Sequence, residues 1–258
     1  GQFIAALESG KYDLDHTALL LTQTGGGCRA SNYIHLLRKA LQKAGMGHIP
    51  VVSISTSGIE KNPGLTYTPK MLMGILQSIV YGDVFMRVLY RMRPYELEKG
   101  SANALYEKWN ATCCEAVKHP KMSEFKKNIR GIIRDFDALP IDETLKKPRV
   151  GVVGEILVKF LPAANNYLVE LLEAEGAEAV VPDLLDFFHY TMYNANFKAD
   201  YLGKSKKSKT LNNLIYEFLE KFRGTARKEL EASKHFDAPA RIDTLAKYAE
   251  DIVSTGNQ

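Results

Sequence analysis

Short apolar runs that stop at glycine or proline alternate along this chain with longer stretches in which apolar residues recur every three or four positions. Thr17-Ala18-Leu19-Leu20-Leu21-Thr22 is continuous and ends just before three glycines, the pattern of a strand buried in a parallel sheet. From Cys28 onward Ile34, Leu37, Leu41 and Ala44 follow at helical spacing, and Gly45 and Gly47 supply a stop. Ile49-Pro50-Val51-Val52-Ser53-Ile54 reads as the second strand, its proline near the start where a missing N–H is tolerated. Together these predict a β-α-β unit.

From Thr68 to about Asp137 the pattern is helical. Thr68-Pro69 has the form of an N-cap followed by proline at the first helical position, and Leu72, Ile75, Leu76, Ile79 and Val80 form a stripe. Arg93-Pro94 breaks that helix, and Ser101 to Val117 restarts one carrying Trp109, Cys113 and Cys114. After Lys146-Lys147-Pro148 the strand pattern returns in Arg149-Val150-Gly151-Val152-Val153-Gly154-Glu155-Ile156. A helix over Ala164 to Glu175 and a strand at Ala179-Val180-Val181-Pro182 follow. Leu211, Leu214, Ile215, Phe218, Leu219 and Phe222 then mark one helix face. The expectation is an α/β fold: a mostly parallel sheet or sheets with flanking helices, two β-α-β centred modules and a helical insert. The first module is residues 1–147, with the glycine loop and the insert, and the second is residues 148–258, helical toward its end.

Composition leaves this picture in place. The chain has 258 residues, 45% hydrophobic and 25% charged, ordinary globular usage that argues against disorder, collagen-like repeats and coiled coil. A net charge of +4 is too small to imply nucleic acid unless it is concentrated on one face. The only dense cationic run, Lys204-Ser205-Lys206-Lys207-Ser208-Lys209, has no interleaved aromatics and reads as a solvated loop. Three cysteines, two of them adjacent, do not make a paired disulfide framework. Without a signal peptide pattern or a run of about eighteen apolar residues, the expected setting is cytoplasmic, with no membrane and no nucleic acid partner. Gly1 in place of Met suggests that the natural N-terminus lies elsewhere.

Candidate chemistry concentrates in Gly25-Gly26-Gly27-Cys28-Arg29-Ala30. Gly25, Gly27 and Ala30 satisfy the dinucleotide pattern G-x-G-x-x-A between strand and helix. That site also wants an acidic residue after the second strand, and Ile54-Ser55-Thr56-Ser57 has none. A thiol at a helix N-terminus loses its proton more easily, and thiolate is the metal-ligating form. The other reading of Cys28 is a small residue filling a gap beside a tight turn. Glu155 follows a strand, where α/β proteins place ligand contacts, and the competing reading is an ion pair with Lys159 or Arg149. Asn32, Tyr33 and Asn165 are polar candidates for which capping is the ordinary explanation. His16, His35, His48, His119, His189 and His235 show no metal-binding spacing. No P-loop or nucleophile elbow occurs in the sequence.

Gly27-Cys28-Arg29-Ala30-Ser31-Asn32-Tyr33, with Leu37-Arg38-Lys39-Ala40-Leu41 and Ile49-Pro50-Val51-Val52-Ser53, resembles the 2-hydroxyacyl-CoA dehydratase superfamily, in particular its fused activase-like members. Gly151-Val152-Val153-Gly154-Glu155-Ile156, Ala164-Asn165 and Leu171-Leu172-Glu173-Ala174-Glu175-Gly176-Ala177-Glu178 resemble the second α/β module of that family. Arg93-Pro94-Tyr95-Glu96 falls between the two blocks, so the likeness covers nearly the whole chain. It implies an iron–sulfur cluster that passes one electron to an acyl-CoA in an ATP-driven dehydration through a ketyl radical. Cys28 matches one ligand position, and Gly25, Gly26, Gly27, Arg29, Glu155 and Asn165 are the associated binding candidates. Clusters take several thiolates, whereas Cys113 and Cys114 match no ligand motif of the family and point about 100° apart if helical. Both read as core cysteines. The chain therefore resembles an internal fragment, inactive alone, with no cluster expected on it. Its expected partners are the remaining domains of the parent and the acyl-CoA substrate. The alternative is a nucleotide- or CoA-binding module without redox chemistry.

Overall fold

The computed structural model describes residues 1–24, 29–54, 66–201 and 206–252, without the side chains of 201 and 206–208. It forms a predominantly helical α/β chain with two small parallel sheets of two strands each. The chain divides into two compact units, Gly1–Tyr67 and Thr68–Asn257.

In the first unit, α1 (Gln2–Glu8) precedes β1 (Leu19–Thr22), α2 (Tyr33–Lys43) and β2 (Val51–Ile54). β1 and β2 pair in parallel, Leu19 opposite Val51 and Thr22 opposite Ile54. Leu7, Leu19, Ile34, Leu41, Ile49 and Val51 form the core. α2 ends as expected at Gly45: with φ +75° it takes the left-handed turn, Met46 N–H reaches Leu41 O at 2.9 Å and Gly45 N–H reaches Gln42 O at 3.2 Å, a Schellman closure. β1 departs from the expected fully buried strand, because Leu20 is 48% exposed. In a pair covered on one face, alternate side chains turn outward.

The second unit opens with α3 (Pro69–Met92), α4 (Ser101–Lys118) and α5 (Met122–Asp137). Thr68 Oγ1 accepts from Met71 N–H at 3.1 Å with Pro69 in the first turn, the expected cap. β3 (Arg149–Gly151), α6 (Ile156–Phe160), α7 (Leu168–Ala174) and β4 (Glu178–Val180) follow, with Arg149 opposite Glu178 and Gly151 opposite Val180. α8 (Leu184–Tyr201), α9 (Lys206–Phe222), α10 (Gly224–Glu231) and α11 (Ile242–Ala249) complete the unit. Its core runs along Val80, Val84, Val88 and Met92 of α3 and Phe125, Ile129, Ile132 and Phe136 of α5. Each fully buried side chain of this kind contributes about 1.5–3 kcal/mol.

Several expectations change here. The stretch from Thr68 to Asp137 is no insert but the spine of the larger unit, and Lys146 to Pro148 falls inside that unit. Arg91 of α3 and Arg149 of β3 hold the same buried Glu178 of β4, at 2.5 and 3.0 Å, while Arg93 grips Glu173 of α7 through two nitrogens at 2.8 and 2.9 Å. The second strand pair is short because Pro148 precedes it and Gly154, at φ +139°, turns the chain away. The helix expected over Ala164 to Glu175 is split into a 3-10 turn, Pro162–Ala164, and α7. Lys206 to Lys209 start α9 instead of lying in a loop. α3 is long and apolar enough to cross a membrane, contrary to the reading of its sequence, and half of its most apolar stretch is buried inside the unit.

α4 and α5 meet where the Trp109 ring lies over Gly131, leaving no room for a Cβ. Trp109 is fixed there by its indole N–H, which donates to Asp135 Oδ2 at 3.1 Å. Gly131→Ala is expected to destabilise the protein by about 1–3 kcal/mol through overpacking, despite alanine's better helix propensity of about 1 kcal/mol. Urea melts of the two proteins measure it, and Trp109→Ala should restore tolerance of the alanine.

Candidate functional site

The carboxyl ends of β1 and β2 are joined by a buried side-chain amide. Gln23 continues the ladder with its N–H on Ile54 O at 2.8 Å. Its side chain turns inward, 3% exposed. Nε2 donates to Ser31 O at 2.9 Å, and Oε1 accepts from Ser53 Oγ at 2.7 Å. Thr24 Oγ1 lies 3.3 Å from Ser31 Oγ. One amide thus ties the end of β1 to the approach to α2 and to β2. A hydrogen bond of this kind is worth about 0.5–1.5 kcal/mol net, and stripping one partner from a buried group costs about 1–3 kcal/mol. Gln23 and Ser31, on either side of residues 25–28, are thus tied to each other and to β2.

Gly25, Gly26, Gly27 and Cys28 lie outside the described residues. Arg29 opens a 3-10 turn, Arg29–Ser31, and is exposed, while Ala30 beneath it is buried. Asn32 stands at the N-cap of α2 without a side-chain capping bond, and Tyr33 is the first residue of that helix. Arg38 Nη2 reaches back from α2 to Val51 O at 3.1 Å. Gln23 and Ser53 were not singled out in the sequence. Their signal is a polar residue ending an apolar strand and a serine inside Val51-Val52-Ser53-Ile54.

In the second unit, Glu155 and Asn165 serve the chain around them. Glu155 caps α6, its Oε2 accepting from Val158 N–H at 2.9 Å. Asn165 Nδ2 donates to Val158 O at 3.0 Å and Lys159 O at 3.2 Å, and its Oδ1 accepts from Leu168 N–H at 3.1 Å. The two residues close the end of α6 onto the start of α7. Asn166 and Tyr167, which lead from Asn165 into α7, hold left-handed φ values of 59° and 56°, a conformation uncommon for a bulky side chain. Arg149, considered as a partner for Glu155, instead pairs with Glu178 and with Asp237 at 3.2 Å.

A buried ionic network, which sequence reading missed, joins α3, α8, α9 and α10. Arg223, 2% exposed, sits at the joint of α9 and α10. Its Nη1 donates to Asp186 Oδ1 at 2.6 Å and its Nη2 to Glu220. Arg87 holds Asp183, and Arg227 lies 3.2 Å from Glu220 Oε2. Asp83 of α3 accepts Leu184 N–H at 2.6 Å and Leu185 N–H at 2.9 Å, capping α8 from another helix. Burial, with Asp183 and Asp186 adding, pushes the Asp83 carboxyl up to about 8. Asp183, Asp186 and Glu220 face the guanidiniums of Arg87, Arg223, Arg227 and Arg241. His189 is fully buried in the same network, its Nε2 3.3 Å from Glu220 Oε1. Burial first and Arg223 second lower its pKa. This network shapes the core rather than an open site.

Cys113 is buried on α4, where burial and then the neighbouring Cys114 push its thiol up to about 12, so it stays protonated and unreactive. Cys114 departs from the expected core placement and is exposed, because a residue one step along a helix turns about 100° away. Among the described residues no three His, Cys, Asp or Glu side chains converge as a ligand set. No family model matches the chain, and neither a curated protein nor a solved structure matches it.

Proposed function

We propose that this chain is a segment of a cytoplasmic iron–sulfur protein of the 2-hydroxyacyl-CoA dehydratase and activase group, inactive by itself, in which Cys28 is one cluster ligand. Each parallel strand pair with its intervening helix is then the start of a β-α-β module that the remaining domains of the parent complete. The cluster, when held, supplies a single electron toward an acyl-CoA. Cys28 supplies one thiolate, and the other ligands are assigned to the rest of the parent, since Cys113 is buried and neither Cys113 nor Cys114 matches a ligand motif of the family. The observation that supports the reading is the Gln23 amide. It anchors the chain on both sides of Gly25 to Cys28 at the carboxyl ends of parallel strands, where α/β proteins place ligands.

The test is the parent protein produced without oxygen, with iron and sulfide analysis and a visible spectrum. Cys28→Ser is expected to abolish the cluster while the folded fraction stays that of the wild type, and an unchanged iron content and spectrum would reject the assignment. Exposed Arg29 keeps a second reading, a nucleotide- or CoA-binding module without redox chemistry, using glycine loop and helix N-terminus. A parent that binds CoA but holds no iron selects it.

A further inference from the structure

The ladder between β1 and β2 uses only alternate residues of β1. Leu19 N–H donates to Pro50 O and Gln23 N–H to Ile54 O, each at 2.8 Å, so in the parallel register Leu19, Leu21 and Gln23 turn their backbone groups toward β2. Ala18, Leu20 and Thr22 turn theirs to the opposite side. None of those outward groups has a hydrogen-bond partner among the described residues. All three residues are exposed, and Thr17 before them is already extended.

Proteins close such an edge with charge, proline, a bulge or a covering element. Thr17-Ala18-Leu19-Leu20-Leu21-Thr22 carries neither charge nor proline. The far side of β2 differs, because the outward carbonyl of Val51 accepts from Arg38 Nη2 at 3.1 Å. The open side of β1 is also apolar. Leu20, 48% exposed, stands opposite Val52 on the face of the strand pair turned away from the core, although parallel strands are ordinarily covered on both faces.

We propose that β1 pairs antiparallel with β1 of a second copy of this chain, about a two-fold axis at Leu20, giving one sheet in the order β2-β1-β1-β2. A two-fold contact requires an edge that complements itself, and this one does. Leu20 N–H donates to Leu20 O of the other copy and the reverse, while Ala18 and Thr22 exchange the same pair of bonds on either side, so every outward group is met. The two large Leu20 side chains lie together at the axis, and small Ala18 faces Thr22. With no charge in the paired stretch, no like charges are opposed. The contact uses neither Cys28 nor a cluster, so it stands or falls apart from the iron–sulfur reading.

Sedimentation of the 258-residue chain over roughly 5–500 μM tests it, with hydrogen exchange read at both ends of that range. A reversible dimer is expected, with a Kd of about 10–100 μM as befits a small contact. The Leu20 and Thr22 amides should exchange about fourfold to tenfold more slowly at the high concentration. Leu20→Lys leaves every β1–β2 hydrogen bond in place and should weaken the dimer about tenfold or more, since two ammonium groups then meet at the axis. Thr22→Lys gives the same comparison if that variant does not fold. Leu214→Lys, on the exposed stripe of α9, should leave the dimer unchanged. A chain that stays monomeric throughout, or a dimer lost with Leu214→Lys and kept with Leu20→Lys, would overturn the pairing.

Discussion

Arg223→Met is expected to lower the stability of the protein by about 3–5 kcal/mol, the cost of stranding buried charge when one partner of a buried pair is removed. Arg223 is 2% exposed, and the oxygens it serves, on Asp186 and Glu220, belong to residues that are themselves mostly buried. Arg227 still reaches Glu220 at 3.2 Å, but Asp186 has no other guanidinium at hydrogen-bond distance among the described contacts. Methionine fills much the same volume, so the loss is electrostatic rather than a cavity. The check is a pair of urea melts at neutral pH, repeated with Asp186→Asn added. That second change removes the stranded charge and should recover a large part of the loss. A loss below about 1 kcal/mol, the size expected of an exposed pair, would mean that water reaches the network.

Asp83 stands inside Val80-Tyr81-Gly82-Asp83-Val84-Phe85 and looks like the polar interruption of a stripe, while its partners begin a hundred residues later at Leu184. Nothing local marks Glu178 as the residue on which Arg91, Arg149 and the Tyr95 hydroxyl converge. Features enforced within a few residues were readable: the Thr68-Pro69 start, the Gly45 stop and the break at Arg93-Pro94. The parallel pairing of β1 with β2 was readable from two apolar runs on either side of one helix. The extent of the sheets was not, since an apolar run reports burial on one face or two only through what covers it, and Leu20 remains exposed. The same limit applies to α9. Leu219 and Phe222 of its apolar stripe enter the core, whereas Leu211, Leu214 and Phe218 stay exposed. At the candidate loop the sequence pointed to the segment itself, and the Gln23 amide that anchors its flanks emerged only with the pairing of β1, α2 and β2.

Asp83 sets the second large expectation, a stability that falls as pH rises through neutrality. Its folded-state pKa of about 8 stands above the ordinary carboxyl value, so between about 4 and 8 the folded chain holds a proton that the unfolded chain has released. Stability then declines with pH, by up to about 1.4 kcal/mol per pH unit for one proton. The groups facing this carboxyl are Asp183 and Asp186, which raise it further, and Leu184 and Leu185 N–H, which oppose the rise. Lys159 lies near enough to be affected by all three aspartates. His189 acts in the other direction: its lowered pKa makes stability increase with pH up to its unfolded value near 6.5. Between about pH 6.5 and 8 the Asp83 slope therefore stands clear of the histidine. Melting temperatures across that window should fall for the wild type and stay nearly level for Asp83→Asn, which is neutral throughout and keeps one oxygen to accept from the start of α8. If wild type and variant trace parallel curves, Asp83 is already ionised in the folded protein and the proton count of the network has to be revised.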